Sequence, residues 1–178
     1  MNSQSLIIDN VAFAKRGERL NGQIAIASCQ RLLVFLQSKA PDLSNSSSYI
    51  LATRDIGFSL VGELDALGRY FLHLNLDAQL NTYCQRCLDS MVLGLKLDFH
   101  YLISDKVAGL AEDAFVDDSD DFDLQEPNQS MNLISLIEDE LIMAMPIAPA
   151  HEFDCSKLAM QAGDKPNPFA VLKGLIKS

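Results

Sequence analysis

The sequence predicts an α+β fold in which helices flank an antiparallel β-meander sheet, with a barrel-like curl of that sheet as one expectation. Three consecutive segments between residues 56 and 103 alternate apolar and polar side chains, and they are joined by connections short enough for hairpins. Segments with helical spacing of apolar residues lie before and after them. Consecutive strands bounded by helices are typical of α+β domains.

The length and composition favour one domain over residues 1–178. A chain of 178 residues with 48% hydrophobic content is long enough to bury a core without support from disulfides. The first expected element is a helix from Ser28 to Lys39, where Leu32, Leu33 and Leu36 recur at helical spacing behind a serine suited to an N-cap. The polar residues from Pro41 to Ser48 are expected to form a turn.

The three alternating segments predict three antiparallel strands. They cover residues 56–64, 70–80 and 91–103, and in each of them every second residue is apolar over most of the length. Gly68 marks the turn between the first two strands, and the residues from Cys84 to Ser90 form the turn between the last two. The sequence therefore predicts one continuous meander.

Charge is distributed unevenly along the chain. The net charge is -10, which opposes general attraction to nucleic acid. Eight acidic residues and no basic residue lie between Glu112 and Glu126, so residues 105–128 are expected to form a mobile acidic loop. The last 22 residues, from Lys157 to Ser178, contain four lysines and one aspartate. This asymmetry indicates a selective docking surface.

The residues after the acidic loop predict two further helical pieces. Residues 131–145 carry apolar side chains on one face and stop before Pro146, and the acids Glu138 to Glu140 are expected to lie on a solvated face. The terminal piece, residues 165–178, begins with an extended stretch fixed by Pro166 and Pro168, and its apolar residues favour a short helix.

Cysteine spacing suggests a metal site. Cys84 and Cys87 lie in a turn between strands, where two thiolates can converge on one ion, and His151 with Cys155 could complete a Cys3His tetrahedron. Two other interpretations stay open. The cysteines could be reduced thiols that only structure the turn, or they could form a small zinc- or thiol-dependent redox centre. Cys29, on an apolar helix, is expected to belong to the core.

The sequence does not predict an enzyme. It has no nucleophile-elbow motif, no zinc-protease motif, no phosphate-binding glycine loop and no calcium-loop spacing in its acidic run. Residues 1–10 do not resemble a signal peptide, and no apolar stretch approaches the roughly 20 residues needed to cross a bilayer. We therefore expect a cytoplasmic protein without a membrane partner.

Three segments together resemble the YceD family of large ribosomal RNA accumulation proteins. They are YCQRCLDSM at residues 83–91, LISLIEDELIMAMPIAPAH at 133–151 and KPNPFAVLKGL at 165–175, with the acidic insert before the second. The resemblance implies a non-catalytic factor that supports synthesis, processing or stability of large-subunit (23S) ribosomal RNA. Some members of that family carry a second cysteine pair after the proline-rich turn, whereas this chain has only Cys155 with His151 nearby.

The expected partner is a large-subunit RNA precursor or a ribosomal protein. The terminal segment has the features of a peptide that docks on a partner, because prolines fix its start and an apolar cluster follows. Packing against its own sheet is the alternative for that segment, and both interpretations stay open. The candidate contact residues are Arg86, Lys165, Pro166, Asn167, Pro168, Phe169 and Lys173.

Overall fold

The structure is a computed structural model that describes residues 6–41, 43–104 and 122–155. A 3₁₀ turn, Ile26–Ser28, precedes the second helix. In chain order the elements are β1 (Ile7–Ile8), α1 (Asn10–Lys15), β2 (Arg19–Ile24), α2 (Gln30–Ser38), α3 (Leu43–Leu51), β3 (Ile56–Leu64), β4 (Tyr70–Tyr83), β5 (Ser90–Ile103), β6 (Asp123–Gln125), β7 (Met131–Asn132) and α4 (Leu133–Ala144).

The main sheet has the order β2-β3-β4-β5-β6. The pairs from β2 to β5 are antiparallel, and β6 adds a short parallel pair to the end of β5. A separate two-stranded sheet joins β1 to β7. The α+β class and the three-stranded antiparallel meander are therefore confirmed. Among the described strands the main sheet is open, with β2 and β6 at its edges, so the expected curl into a closed barrel is not found.

One face of the sheet forms the core because its apolar residues recur with period two. Leu72, Leu74 and Leu76 of β4 are almost fully buried, and each lies opposite an apolar residue of β5. Helices that precede the three-stranded meander in the sequence, and one that follows it, cover this face. Their buried residues include Phe13 and Ala14 of α1, Leu32, Leu33 and Leu36 of α2, Ile50 of α3, and Leu133, Ile137 and Leu141 of α4.

The first helix lies directly on β3 at a glycine. Gly62 is buried and pairs with Leu72, so it belongs to the core face of the sheet. A Cβ atom built on Gly62 would lie 2.7 Å from both the Cα of Ala14 and the carbonyl oxygen of Phe13. Because contacts this short do not occur in folded proteins, the close approach of α1 to β3 requires glycine at this position.

The second helix is capped by an acid from the fourth helix. Ser28 was expected to cap it, but α2 begins at Gln30 and its N-cap residue, Cys29, makes no side-chain cap bond. The Oε1 atom of Glu138 instead accepts the backbone N–H groups of Arg31 at 2.8 Å and Leu32 at 3.4 Å. Glu138 is also buried, so the prediction that it lies on a solvated face is wrong. The carboxylate satisfies N–H groups that α2 itself leaves unpaired.

Part of the predicted acidic loop lies outside the described residues, namely 105–121. At its end, Asp123–Gln125 forms β6, where Asp123 pairs with Tyr101 and Gln125 with Ile103. The prediction of no regular element up to residue 128 is therefore wrong over these three residues. Strand pairing with β5 explains the difference, since the local alternation contains only two apolar residues, Phe122 and Leu124, and is too short to predict a strand.

Besides the short strands β1, β6 and β7, three elements were not predicted from the sequence: α1, β2 and α3. Residues 41–48 were expected to form a polar turn, but residues 43–51 form a helix that buries Ile50. The hydroxyl of Tyr49 donates to the carbonyl oxygen of Met91 at 2.9 Å, and Asn81 Nδ2 donates to the carbonyl oxygen of Tyr49 at 2.8 Å. These contacts with the sheet are non-local, which is why a serine-rich stretch with weak helix propensity is helical here.

Glu140, on α4, is a half-buried carboxyl group whose negative charge is destabilised by burial. The hydroxyl of Tyr101 donates to Glu140 Oε1 at 2.8 Å. Burial raises the pKa of Glu140 above its usual value, with smaller contributions from Asp123 and Asp139, although the Tyr101 bond opposes the shift. A raised carboxyl pKa means that folding favours the protonated form. The contribution of the protonated Glu140 to the free energy of unfolding is therefore present at low pH and lost as the pH rises through the folded-state pKa.

A Glu140→Gln variant is therefore expected to be slightly more stable than the parent at pH 7. The amide keeps an acceptor for Tyr101 without a desolvated charge, and the gain should be a few tenths of a kcal/mol because the side chain is only half-buried. Urea unfolding at pH 7 and pH 4 measures this difference. The gain should disappear at about pH 4, where the parent carboxyl is protonated in both states. A lower stability of the variant at pH 7 would contradict the assignment.

Within residues 6–41, 43–104 and 122–155, no helix has the length and apolar character that a bilayer crossing requires.

Candidate metal centre

The turn between β4 and β5 carries the first two candidate ligands. It is closed by two backbone bonds, from Cys84 N to the carbonyl oxygen of Asp89 and from Leu88 N to the carbonyl oxygen of Cys84, each 2.9 Å long. Leu88 has a φ of 62°, a left-handed conformation that a side chain makes unfavourable by roughly 1–2 kcal/mol. The turn therefore holds a strained backbone directly after Cys87.

The chain after α4 reaches the same turn. Met145 ends the helix in an extended conformation because Pro146 follows it. The carbonyl oxygen of Pro149 accepts the backbone N–H of Gln85 at 2.7 Å, and the carbonyl oxygen of Ile147 accepts Lys39 Nζ at 2.7 Å. These bonds position the residues after Pro149 beside the two cysteines of the turn.

The two segments bring together the four residues that the sequence singled out. Cys84, Cys87, His151 and Cys155 each offer one ligand atom, and these atoms all lie within 4.8 Å of one another. The Sγ atoms of Cys84 and Cys155 are 3.6 Å apart, and Cys87 Sγ lies 3.5 Å from His151 Nδ1. Cys84 is buried and the other three residues are half-buried. The arrangement is a Cys3His cluster that can hold a metal ion.

Local hydrogen bonds stabilise negative charge on one sulfur. Burial raises the pKa of Cys84, but the backbone N–H groups of Cys87, His151 and Arg86 outweigh it and lower the pKa to about 5. The N–H of Arg86, for example, is 3.4 Å from Cys84 Sγ. At Cys87 the N–H of Asp89 lowers the pKa, whereas burial and the two neighbouring sulfurs raise it to about 11. Cys84 therefore has thiolate character before any ion binds.

Arg86, between the two turn cysteines, is engaged by the second segment. Its guanidinium donates to the carbonyl oxygens of His151 at 3.1 Å and Phe153 at 3.4 Å, and it lies 3.7 Å from a carboxylate oxygen of Asp154. The side chain remains 41% exposed. A phosphate contact by Arg86 stays a prediction, and such a contact would have to share the guanidinium with these partners.

The other predicted contact residues, Lys165, Pro166, Asn167, Pro168, Phe169 and Lys173, lie outside the described residues, as does the rest of the terminal segment. Cys29 is fully buried, which confirms its expected place in the core. Burial, with a smaller contribution from Glu138, raises the pKa of the Cys29 thiol to about 12. Cys29 is therefore an unreactive cysteine, separate from the cluster.

One residue beside the cluster, Phe153, was not among the residues predicted from the sequence. The ring of Phe153 stacks on His151 with centroids 4.8 Å apart, and the phenylalanine is 65% exposed. The two residues are two positions apart, a spacing that places side chains on the same side of an extended chain. That spacing was the available signal. An exposed aromatic ring beside the cluster thus adds an apolar surface to the site.

Comparison with known proteins relates this region to one family. The family model described as "Large ribosomal RNA subunit accumulation protein YceD" matches residues 72–176, more than half of the chain. A curated protein of that description from Haemophilus influenzae (strain ATCC 51907 / DSM 11121 / KW20 / Rd) is 32% identical over 108 residues. The alignment covers 52% of this chain and 57% of the relative, so the chain spans little more than half of that relative's length. No solved structure matches the chain.

All four cluster residues lie inside the matched range, which begins within β4 and also contains β5, β6 and α4. The elements from β1 to β3 precede it. The family match and the cluster therefore describe the same part of the molecule. The chain belongs to the family of large ribosomal RNA subunit accumulation proteins called YceD.

Proposed function

We propose that this protein is a cytoplasmic assembly factor that supports the accumulation of large-subunit (23S) ribosomal RNA by binding an RNA precursor or a ribosomal protein. The match of residues 72–176 to the family named for that role carries the proposal. The protein acts as a binding component and not as a catalyst. In this role, a metal ion at the Cys3His cluster stabilises the fold around the β4–β5 turn and does not take part in catalysis.

The described acids and histidines support a non-catalytic role. Glu138 caps α2, and Glu140 accepts the hydroxyl of Tyr101. His73 and His100 stack on each other with ring centroids 3.9 Å apart, and His73 Nε2 lies 3.3 Å from Glu63. Each of these groups already has a structural partner. The contact between a nucleophile and a base at Cys87 Sγ and His151 Nδ1, 3.5 Å apart, belongs to the Cys3His cluster.

In this proposal, the terminal segment from Lys165 to Leu175 supplies the main contact surface. Pro166 and Pro168 reduce the conformational entropy lost on docking, and Phe169 is a large apolar anchor. Lys165 and Lys173 add attraction for phosphate. The net charge of -10 does not exclude this contact, because the lysines of one short segment can attract phosphate although the whole chain is acidic.

The test replaces Phe169 by alanine in cells whose own copy of the protein is deleted. The variant is expected to lower the ratio of large- to small-subunit RNA toward the level of the deletion, with an almost unchanged melting temperature of the purified protein. Leu67→Ala is the matched control, since Leu67 is 79% exposed in the β3–β4 turn and lies outside the family match. It should restore the normal ratio.

Two results would count against the proposal. A loss of about 3–5 kcal/mol in the stability of Phe169→Ala would assign Phe169 to the core and remove the segment as the contact surface. A normal RNA ratio in the deletion cells themselves would reject the role in RNA accumulation.

Cross-linking in cells, followed by sequencing of the attached RNA and identification of attached proteins, separates RNA from a ribosomal protein as the partner.

The second candidate function is thiol redox chemistry at the same cluster. It is favoured by the low pKa of Cys84 and by the 3.6 Å separation between Cys84 Sγ and Cys155 Sγ. The position of Cys84 in a turn between antiparallel strands is unlike the helix N-terminus of thioredoxin-type sites. A Cys84–Cys155 disulfide that is repeatedly formed and reduced by a cellular reductase would establish the redox function in place of the structural one.

A further inference from the structure

We propose that Cys84, Cys87, His151 and Cys155 bind one Zn²⁺ ion in a closed tetrahedral site, and that this ion fastens the chain after α4 to the β4–β5 turn. The inference deepens the architectural role proposed for the cluster. It is independent of the role in RNA accumulation, because it rests on the geometry of four side chains.

The donor atoms have the spacing of a zinc tetrahedron. Zn–S bonds of about 2.3 Å place two sulfur ligands about 3.8 Å apart, and a Zn–N bond of about 2.0 Å places nitrogen about 3.5 Å from sulfur. The Cys84–Cys155 sulfur pair is 3.6 Å apart and the Cys87–His151 pair 3.5 Å. The longest separation in the cluster is within 4.8 Å, so small side-chain rotations complete the tetrahedron.

The donor set selects the metal and the type of site. Three thiolates and one imidazole favour Zn²⁺ over the hard cations Mg²⁺ and Ca²⁺, which prefer oxygen ligands. Four protein ligands fill the tetrahedron and leave no position for water or substrate. Such a site is structural, whereas catalytic zinc sites keep one position open.

In this structure Cys84 and Cys155 are two thiols that have not formed a disulfide. A sulfur–sulfur bond is about 2.05 Å long, and the Cys84 and Cys155 sulfurs are 3.6 Å apart. All of the chain's cysteines are free. The N–H of Arg86 points at Cys84 Sγ from 3.4 Å, an outer contact that orients a thiolate ligand without occupying the position of the ion.

Besides the hydrogen bonds that Lys39, Gln85 and Arg86 donate to its carbonyl oxygens, the segment that the ion fastens has few buried side chains. Residues 145–155 form no helix or strand, and of their side chains only Met145 and Pro149 are buried. Ile147 is 89% exposed and Phe153 65% exposed. A bound ion would link this stretch to a turn more than 60 residues earlier in the chain, and its binding free energy would be added to the free energy of folding.

The experiment uses the full chain, purified in reducing buffer without chelator. Elemental analysis is expected to find about one zinc per chain. Co²⁺ added to metal-free protein should give the intense visible bands of a tetrahedral ion together with thiolate-to-metal charge transfer. The Cys29→Ala variant should bind zinc and cobalt like the parent, because Cys29 is the buried N-cap residue of α2 and is not a ligand. In that background the three remaining cysteines are Cys84, Cys87 and Cys155.

Ligand variants distinguish binding from damage to the fold. Cys155→Ser and His151→Ala should each lower the apparent zinc affinity by at least about 100-fold, since even residues that only support ligands contribute about 10- to 100-fold. His151→Cys should restore tight binding, with a cobalt spectrum shifted toward four thiolates. Rescue by a new ligand is a result that a purely structural role for His151 would not produce.

Three results would overturn the proposal. The first is folded, reduced protein that takes up neither zinc nor cobalt in stoichiometric amount. The second is a Cys155→Ser variant with parental zinc content and an unchanged cobalt spectrum. The third is stoichiometric iron in the purified chain, which would assign the cluster to a different metal.

Discussion

Gly62→Ala is expected to lower the free energy of unfolding by about 3 kcal/mol, at the upper end of the usual cost of overpacking. The added Cβ would lie 2.7 Å from Ala14 Cα, 2.7 Å from the carbonyl oxygen of Phe13 and 2.9 Å from Ala14 N. All three are backbone atoms of α1, so a side-chain rotation cannot relieve the contact. The helix has to move away from β3, and the burial of Phe13 is reduced when it does.

Urea unfolding of Gly62→Ala beside Gly94→Ala measures this effect. Gly94 is an exposed residue of β5, and a Cβ built there meets nothing within 4 Å. Alanine at Gly94 should be neutral or stabilise by up to about 1 kcal/mol, because glycine is the less favourable residue in a strand. Equal unfolding midpoints for the two variants would contradict the close packing of α1 on β3.

The sheet was predictable from the sequence because its signal is local. Each of β3, β4 and β5 alternates apolar and polar residues over most of its length, and one buried face requires that pattern. The edge strand β2 lacks the pattern, since it contains Asn21, Gly22 and Gln23 and forms by pairing with β3. The helix α3 is likewise determined by contacts with β4 and β5. These elements depend on tertiary structure, which periodicity does not report.

The candidate site was predictable in composition but not in geometry. Two cysteines in a turn identify half of a metal site from the sequence alone. Whether His151 and Cys155 reach that turn depends on the end of α4 at Ala144 and on the bonds from Gln85 to Pro149 and from Lys39 to Ile147. The engagement of Arg86 with the same segment is also a tertiary feature. Sequence spacing gives no measure of these contacts.

The acidic run on α4 shows how charge patterning misleads when a helix end lies nearby. Three consecutive acids suggest a solvated face. Here the side chain of Glu138 is 8% exposed, whereas that of Asp139 is 52% exposed. The difference arises because Glu138 faces the N-terminus of α2, where unpaired N–H groups and the helix dipole attract a carboxylate.

Glu138→Ala is therefore expected to lower the free energy of unfolding by about 3 kcal/mol. The change removes the acceptor of the Arg31 and Leu32 backbone N–H groups and also an ion pair with Arg31 Nε at 3.3 Å. Loss of a helix cap costs up to about 2 kcal/mol, and bonds to a charged acceptor about 1.5–3 kcal/mol. Glu138→Gln, which keeps an acceptor oxygen without the charge, should lose less.

Asp139→Ala is the matched control, because Asp139 is the next residue of α4 and also pairs with Arg31, but on the exposed side. Surface ion pairs contribute about 0–1 kcal/mol, so this variant should stay within that range of the parent. Urea unfolding of the three variants at one pH gives the comparison. If Glu138→Ala and Asp139→Ala lost equal stability, the cap would contribute nothing beyond a surface ion pair. A loss confined to Glu138 would instead show that α4 completes the first turn of α2, which links the family-matched part of the chain to the helices that precede it.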